Sequence, residues 1–231
     1  STIIHEAYHI AHRDEHNTVC VEEMQAYLFE LNYLFKIKDV ETSLIDKKDK
    51  PSGKIVVTTV VGFGGIWLTP RIQEFMEKNP DIYDQLRWIH FDPKQPEFAP
   101  NGLVDMVLTF RNVHNWAKAG SAEAMFAGFA KALKPGGVLG VVEHRAKAGT
   151  PLDKQIESGY MTEEYVIQMA TDAGFKLDAK SEINANPKDT ADHPKGVWNL
   201  LPSLRGVEDD DKADIISIGE SDRMTLRFIK E

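Results

Sequence analysis

The chain has 231 residues, with 36 acidic against 27 basic side chains, eight histidines and one cysteine. That length suits one large domain with a core that needs no staples. A lone Cys20 excludes a disulfide framework and a multi-cysteine zinc site. The net charge of −9 argues against a nucleic-acid-coating surface, and no run approaches the roughly 18 apolar residues of a membrane span. No basic-then-apolar leader opens the sequence, so a cytoplasmic protein is expected, with an exported mature form left open.

Residues 1–50 contain neither Gly nor Pro and are rich in His and Glu. Met24, Tyr27, Leu28, Leu31, Leu34 and Phe35 recur at helical spacing, which predicts an N-terminal helical region. The charged segment 46–53 is a turn. Lys54 to Val61, dense in β-branched residues, predicts a strand, broken by Gly62-Phe-Gly-Gly65. A helix over about 70–78 follows, with Pro70 at its start, then a strand over 86–91 stopped by Asp92-Pro93.

Beyond residue 103 the pattern sharpens. Leu103 to Phe110 is the nearly all-apolar run of a strand buried inside a parallel sheet. Residues 121–133 predict an alanine-rich amphipathic helix with Ser121 as its cap, and Lys134-Pro-Gly-Gly137 stops it before a strand over 138–143. Thr162 caps a helix that ends at Gly174. A strand over 175–183, a polar stretch over 184–214 and a last strand over 223–229 complete the chain. Strands alternating with helices imply a doubly wound α/β sheet over residues 51–231. Ligands then sit at the carboxyl ends of the strands, which places Arg111 to Trp116 and Glu143 to Arg145 at the candidate site.

Several segments in order carry a resemblance: Asp105-Met-Val-Leu-Thr-Phe-Arg-Asn-Val-His-Asn-Trp116, Leu133-Lys-Pro-Gly-Gly137, Gly137-Val-Leu-Gly-Val-Val-Glu-His-Arg145, Ser181 to Thr190 and Gly219 to Leu226. Over roughly residues 100–231 the chain resembles a bacterial family of predicted class I S-adenosylmethionine-dependent methyltransferases of unassigned substrate. The resemblance implies a Rossmann-like, mostly parallel sheet with an antiparallel hairpin of the last two strands at its edge. It also implies S-adenosylmethionine as cofactor, no metal, and a small-molecule substrate rather than nucleic acid or membrane; a homodimer is left open.

The family fold needs a glycine-rich loop after its first strand, where the missing Cβ lets backbone approach the cofactor, and an acidic residue after its second. Two placements satisfy the sequence. If Lys54–Val61 is the first strand, Gly62, Gly64 and Gly65 form the cofactor loop, with Asp92 as the acidic partner and Phe110 lining the site; the span to Asp105 is then about one strand–helix unit short. If Lys54–Val61 is the second strand, the downstream spacing fits better. The first strand then falls near Thr18 to Glu22, and no glycine follows it. The chain would in that case keep the fold and act as a small-molecule or partner-binding protein.

The candidate chemistry follows from position. Arg111, Asn112 and His114 end one strand, where Asn can orient an acceptor and His can take its proton; otherwise Asn112 and Asn115 cap the next helix. Glu143, His144 and Arg145 end the next strand and face either a site or an ion pair tying two loops together. Asn115, His144, Arg145, Tyr160 and Trp198 are the expected substrate contacts, the two large aromatics covering a pocket. Asp222 and Arg223 are expected to lock the long loop onto the sheet.

His5-Glu-Ala-Tyr-His9 matches a zinc-protease pattern, and His12 and His16 extend the same helical face. Only four residues precede His5, however, and the positions for a third ligand and its glycine hold Glu15 and His12. A surface or lid helix is the expectation. Lys47, Lys48 and Lys50 among Asp46 and Asp49, and the acidic run 208–211, are expected to be solvated.

Overall fold

The computed structural model describes residues 55–58, 89 and 91–231. The expected N-terminal helical region, the glycine run 62–65 and the helix over 70–78 lie outside the described residues, as do His5, His9, His12 and His16.

Among the described residues five strands form one sheet in the order β1-β2-β3-β5-β4. They are β1 (Ile55–Thr58), β2 (Val104–Phe110), β3 (Leu133–His144), β4 (Phe175–Ser181) and β5 (Arg223–Lys230). β1, β2 and β3 are parallel, while β5 runs antiparallel to both β3 and β4. The expected antiparallel pair at the sheet edge is therefore present, with β4 outermost. Among the described residues five helices accompany the strands: α1 (Val113–Ala119), α2 (Ala122–Ala132), α3 (Leu152–Ser158), α4 (Glu163–Asp172) and α5 (Lys212–Ile218).

β2 is buried along almost its whole length, which is why its sequence is apolar on both faces rather than alternating. Met125, Phe126 and Phe129 of α2 and Val166 and Ala170 of α4 join Val107, Leu139, Val141, Leu226 and Phe228 in one apolar cluster. Trp116 closes it from α1, edge-on to Phe126 and Phe129 at centroid distances of 6.3 and 5.6 Å. The amphipathic spacing of α2 is thus spent on the sheet.

Three local expectations change. Ser121 sits at the N-cap position of α2, but its side chain makes no cap bond, whereas the Thr162 hydroxyl does accept the Tyr165 N–H at 3.2 Å. Of the expected strand over 86–91 only Ile89 and Phe91 are among the described residues, and neither is in a strand. Leu133 already pairs with Val104, and pairing resumes at Val138 with Met106, so Lys134 to Gly137 is a bulge within β3 rather than a stop before it. Gly137 is required there: a Cβ would lie 2.9 Å from the Lys134 carbonyl oxygen and 3.2 Å from that of Asp105.

Residues 184–222 contain more order than their polarity suggests, including α5 and a short 3-10 turn at Gly196–Asn199. No helix among the described residues is long and apolar enough to cross a membrane.

Candidate active site

The carboxyl ends of β2 and β3 meet the amino end of β5, because Phe110 pairs with Val142 and His144 with Arg223. β2 ends in a sharp turn. Arg111 takes a left-handed φ of +52°, a conformation a non-glycine residue adopts at a cost of about 1 kcal/mol or more. Its N–H donates to the Val142 carbonyl at 2.8 Å, so the turn is pinned to the neighbouring strand.

That turn aims the start of α1 at Glu143, whose side chain is completely buried. Oε2 accepts the Val113 N–H at 2.6 Å and the His114 N–H at 3.3 Å. Oε1 accepts the His144 N–H at 2.9 Å and lies 3.0 Å from His114 Nδ1. Asn112 occupies the N-cap position but makes no side-chain cap bond. The cap of α1 is supplied by Glu143 instead, from the next strand. A carboxylate at a helix start satisfies orphan N–H groups and meets the positive end of the peptide dipoles. The same carboxylate fixes the His114 ring.

His144 faces this pair from β3, with its ring centroid 5.4 Å from that of His114. Its Nδ1 is 2.5 Å from the Ser221 hydroxyl. Burial first, then the neighbouring His114, Arg111 and Arg223, hold its pKa well below the ordinary imidazole value, so it is neutral at pH 7. Glu220 balances the two arginines: its carboxylate is 2.6 Å from Arg223 Nη2 and 3.9 Å from Arg111 Nη1.

The loop after β4 supplies Trp198 to the aromatic side, and the turn between α3 and α4 supplies Tyr160. Trp198 lies edge-on to His114 at 6.2 Å, and Tyr160 edge-on to His144 at 6.3 Å. The Tyr160 hydroxyl donates to both Asp189 oxygens at 3.0 and 3.1 Å; burial and then Asp189 push its pKa far up. Asp189 also takes the Asp222 N–H at 2.7 Å and lies 3.0 Å from His193 Nε2. Asp222 accepts from Arg145 Nε at 2.8 Å and from the Asn186 N–H at 2.8 Å. The expected lock between long loop and sheet is therefore built by Asp222 together with Asp189.

Gly196 lets the loop pass. Its φ is +59°, and a Cβ there would lie 1.9 Å from the Ser158 carbonyl oxygen, an overlap that only backbone movement removes. Gly196→Ala is expected to destabilise the fold by about 1–3 kcal/mol, seen as a lower urea midpoint. An alanine variant as stable as the parent would show that the loop has no fixed path over α3.

Among the expected site residues, His114, Glu143, His144, Tyr160 and Trp198 come together. Arg111 and Asn112 are buried beside them and Phe110 is buried at the end of β2, while Asn115 is half-buried on α1. Arg145 is engaged by Asp222, Glu163 and Glu182, and hydrogen bonds to Asp222 and Glu182 raise its pKa further. It ties β3 to β4 and α4. Asp92 is exposed, and its carboxylate accepts the Lys94 N–H at 2.9 Å. The sequence gives no individual signal for Ser221, Asp189 or Glu220, but all three lie in segments that carry the family resemblance, Ser181 to Thr190 and Gly219 to Leu226.

No protein-family model and no curated protein matches the sequence. The structure is similar to that of geranyl diphosphate C-methyltransferase from Streptomyces coelicolor A3(2), determined with Mg2+, geranyl diphosphate and S-adenosyl-L-homocysteine. Identity is 13%, the TM-score 0.52, and the match covers 97% of this chain and 87% of that one. It is also similar to the [4+2]-cyclase SpnF at 12% identity and a TM-score of 0.50, covering 78% of this chain and 67% of that one.

Proposed function

We infer that this chain, whose fold is that of the class I methyltransferases, binds its ligands at the carboxyl ends of β1–β3. The fold alone does not fix the reaction, since its relatives here include a C-methyltransferase and a cyclase by name. We propose that this protein transfers a methyl group from S-adenosylmethionine to a small-molecule acceptor at the His114–Glu143 site.

The observation that carries the reading is the position of β1. It pairs in parallel with β2, Thr58 opposite Thr109. In doubly wound sheets the strand beside the fourth is the first, and the crevice between them is where a nucleotide sits. With β2 read as the fourth strand of the fold, β1 is read as the first, the placement in which a glycine run is wanted next, and in sequence Gly62-Phe-Gly-Gly65 comes next. On this reading Gly62, Gly64 and Gly65 approach the cofactor, Phe110 packs beside it and the exposed Asp92 is the partner of its ribose hydroxyls.

When bound, S-adenosylmethionine supplies an electrophilic methyl on sulfur. His114, whose Nδ1 is held by Glu143, would take the proton of the acceptor's O–H or N–H at its other ring nitrogen. Glu143 fixes the ring and stabilises the imidazolium. Trp198 and Tyr160 exclude water and hold the acceptor in line, which is where most of the rate arises in such a displacement. The acidic balance of the chain disfavours nucleic acid as acceptor.

Calorimetric titration with S-adenosylmethionine and S-adenosylhomocysteine tests this. Micromolar affinity for both, abolished by Gly64→Val, is the expected result. No binding up to millimolar concentration would leave only a shared fold.

A further inference from the structure

We propose that His114, Glu143 and His144 form a mononuclear site for a borderline divalent transition-metal ion of the zinc, iron(II) or cobalt(II) class. One ligand atom from each lies within 4.8 Å of the others, and all three side chains are buried. Two imidazoles and one carboxylate are a donor set such ions take up, and imidazole disfavours magnesium and calcium.

The geometry is close to that of a bound ion. His114 Nδ1 and Glu143 Oε1 are 3.0 Å apart. Bonds of about 2.1 Å put ligand atoms roughly 3–3.4 Å apart around one ion. A proton now bridges the two atoms. The ion replaces it, the imidazole taking its other tautomer. The ligand atoms of the three side chains now lie within 4.8 Å of one another, so the ion draws the His144 ring nearer to the pair. Its second nitrogen rests on the Ser221 hydroxyl, the kind of outer partner that orients ligating histidines. Glu143 is oriented in the same way by the N–H groups of Val113, His114 and His144. Arg111 and Arg223 add positive charge, but Glu220 lies against both. Three protein ligands leave the remaining positions for water or for an oxygen or nitrogen of a substrate, as catalytic rather than structural sites do.

The ion would take His114 Nδ1 and Glu143, the pair that the methyl-transfer reading uses as proton acceptor, so a loaded site excludes that base role; metal binding is therefore measured directly, without turnover. The full chain, stripped with chelator, is titrated with Zn2+ and with Co2+, the latter read by its visible spectrum. One equivalent is expected at this site, retained when His5, His9, His12 and His16 are all replaced by Ala. His144→Ala and Glu143→Gln are expected to weaken it at least tenfold, and Ser221→Ala about tenfold, with far-UV circular dichroism as the check of folding. The proposal is overturned if the four-histidine variant binds no ion. It is also overturned if the three site variants bind like the parent, or if Mg2+ competes with Zn2+ at equal concentration. S-Adenosylhomocysteine binding by metal-free protein reports on the methyltransferase reading alone.

Discussion

Glu143→Ala is expected to lower folding stability by about 3–5 kcal/mol, the range for removing one partner of a buried charged network. In a chain of this size that corresponds to a fall in Tm on the order of 10 °C. The side chain is wholly buried and takes four donors, three of them backbone N–H groups from two separate elements. Alanine leaves a cavity and strands the start of α1 without its cap. The orphaned Val113 and His114 N–H groups then have no acceptor from β3. Glu143→Gln should cost less, about 1–3 kcal/mol, because one oxygen still accepts while the new NH2 faces a donor. Urea unfolding checks both: the midpoint should fall in that order with an unchanged m-value. A loss below about 1 kcal/mol for Ala would mean that water or another group replaces the carboxylate, and that α1 does not depend on β3 for its cap.

The same residue shows what a sequence can and cannot disclose. Strands β2, β4 and β5 and helices α2 and α4 were legible because their signals are local: an apolar run, a helical period, Thr162 before two glutamates. α1 was not. It has seven residues, too few for a period to emerge, and its capping group stands 30 positions away in β3. The constellation Arg111–His114 with Glu143–His144 could be placed at one sheet edge by topology, since both end parallel strands. The pairing of His144 with Ser221 could not, since it depends on β5 entering antiparallel beside β3. Sequence spacing set the downstream order against a first-strand placement of Lys54–Val61; the pairing of β1 with β2 favours that placement, because sheet neighbours are a tertiary fact that spacing only approximates. His5-Glu-Ala-Tyr-His9 is a local motif that a sequence displays at once, while the proposed site draws on two strand ends that no motif joins.

His114→Gln is expected to reduce methyl-transfer turnover about 10²–10⁴-fold, the usual worth of a positioned proton acceptor, with little change in S-adenosylhomocysteine affinity. Glutamine is the informative replacement. Its amide NH2 can still donate to Glu143 Oε1, as His114 Nδ1 does at 3.0 Å, and it can still pack against Trp198. The Glu143 bonds to the Val113 and His144 N–H groups are backbone interactions that the substitution leaves in place. What it lacks is a nitrogen lone pair basic enough to take the acceptor's proton. A base role therefore predicts loss in kcat with the fold and the cofactor site intact. A purely structural role predicts the reverse, a lower urea midpoint with turnover retained in the folded fraction. If His114→Gln keeps its turnover and its stability, the proton leaves the acceptor by another route, and the buried His114–Glu143 pair has to be explained by what it holds rather than by what it accepts.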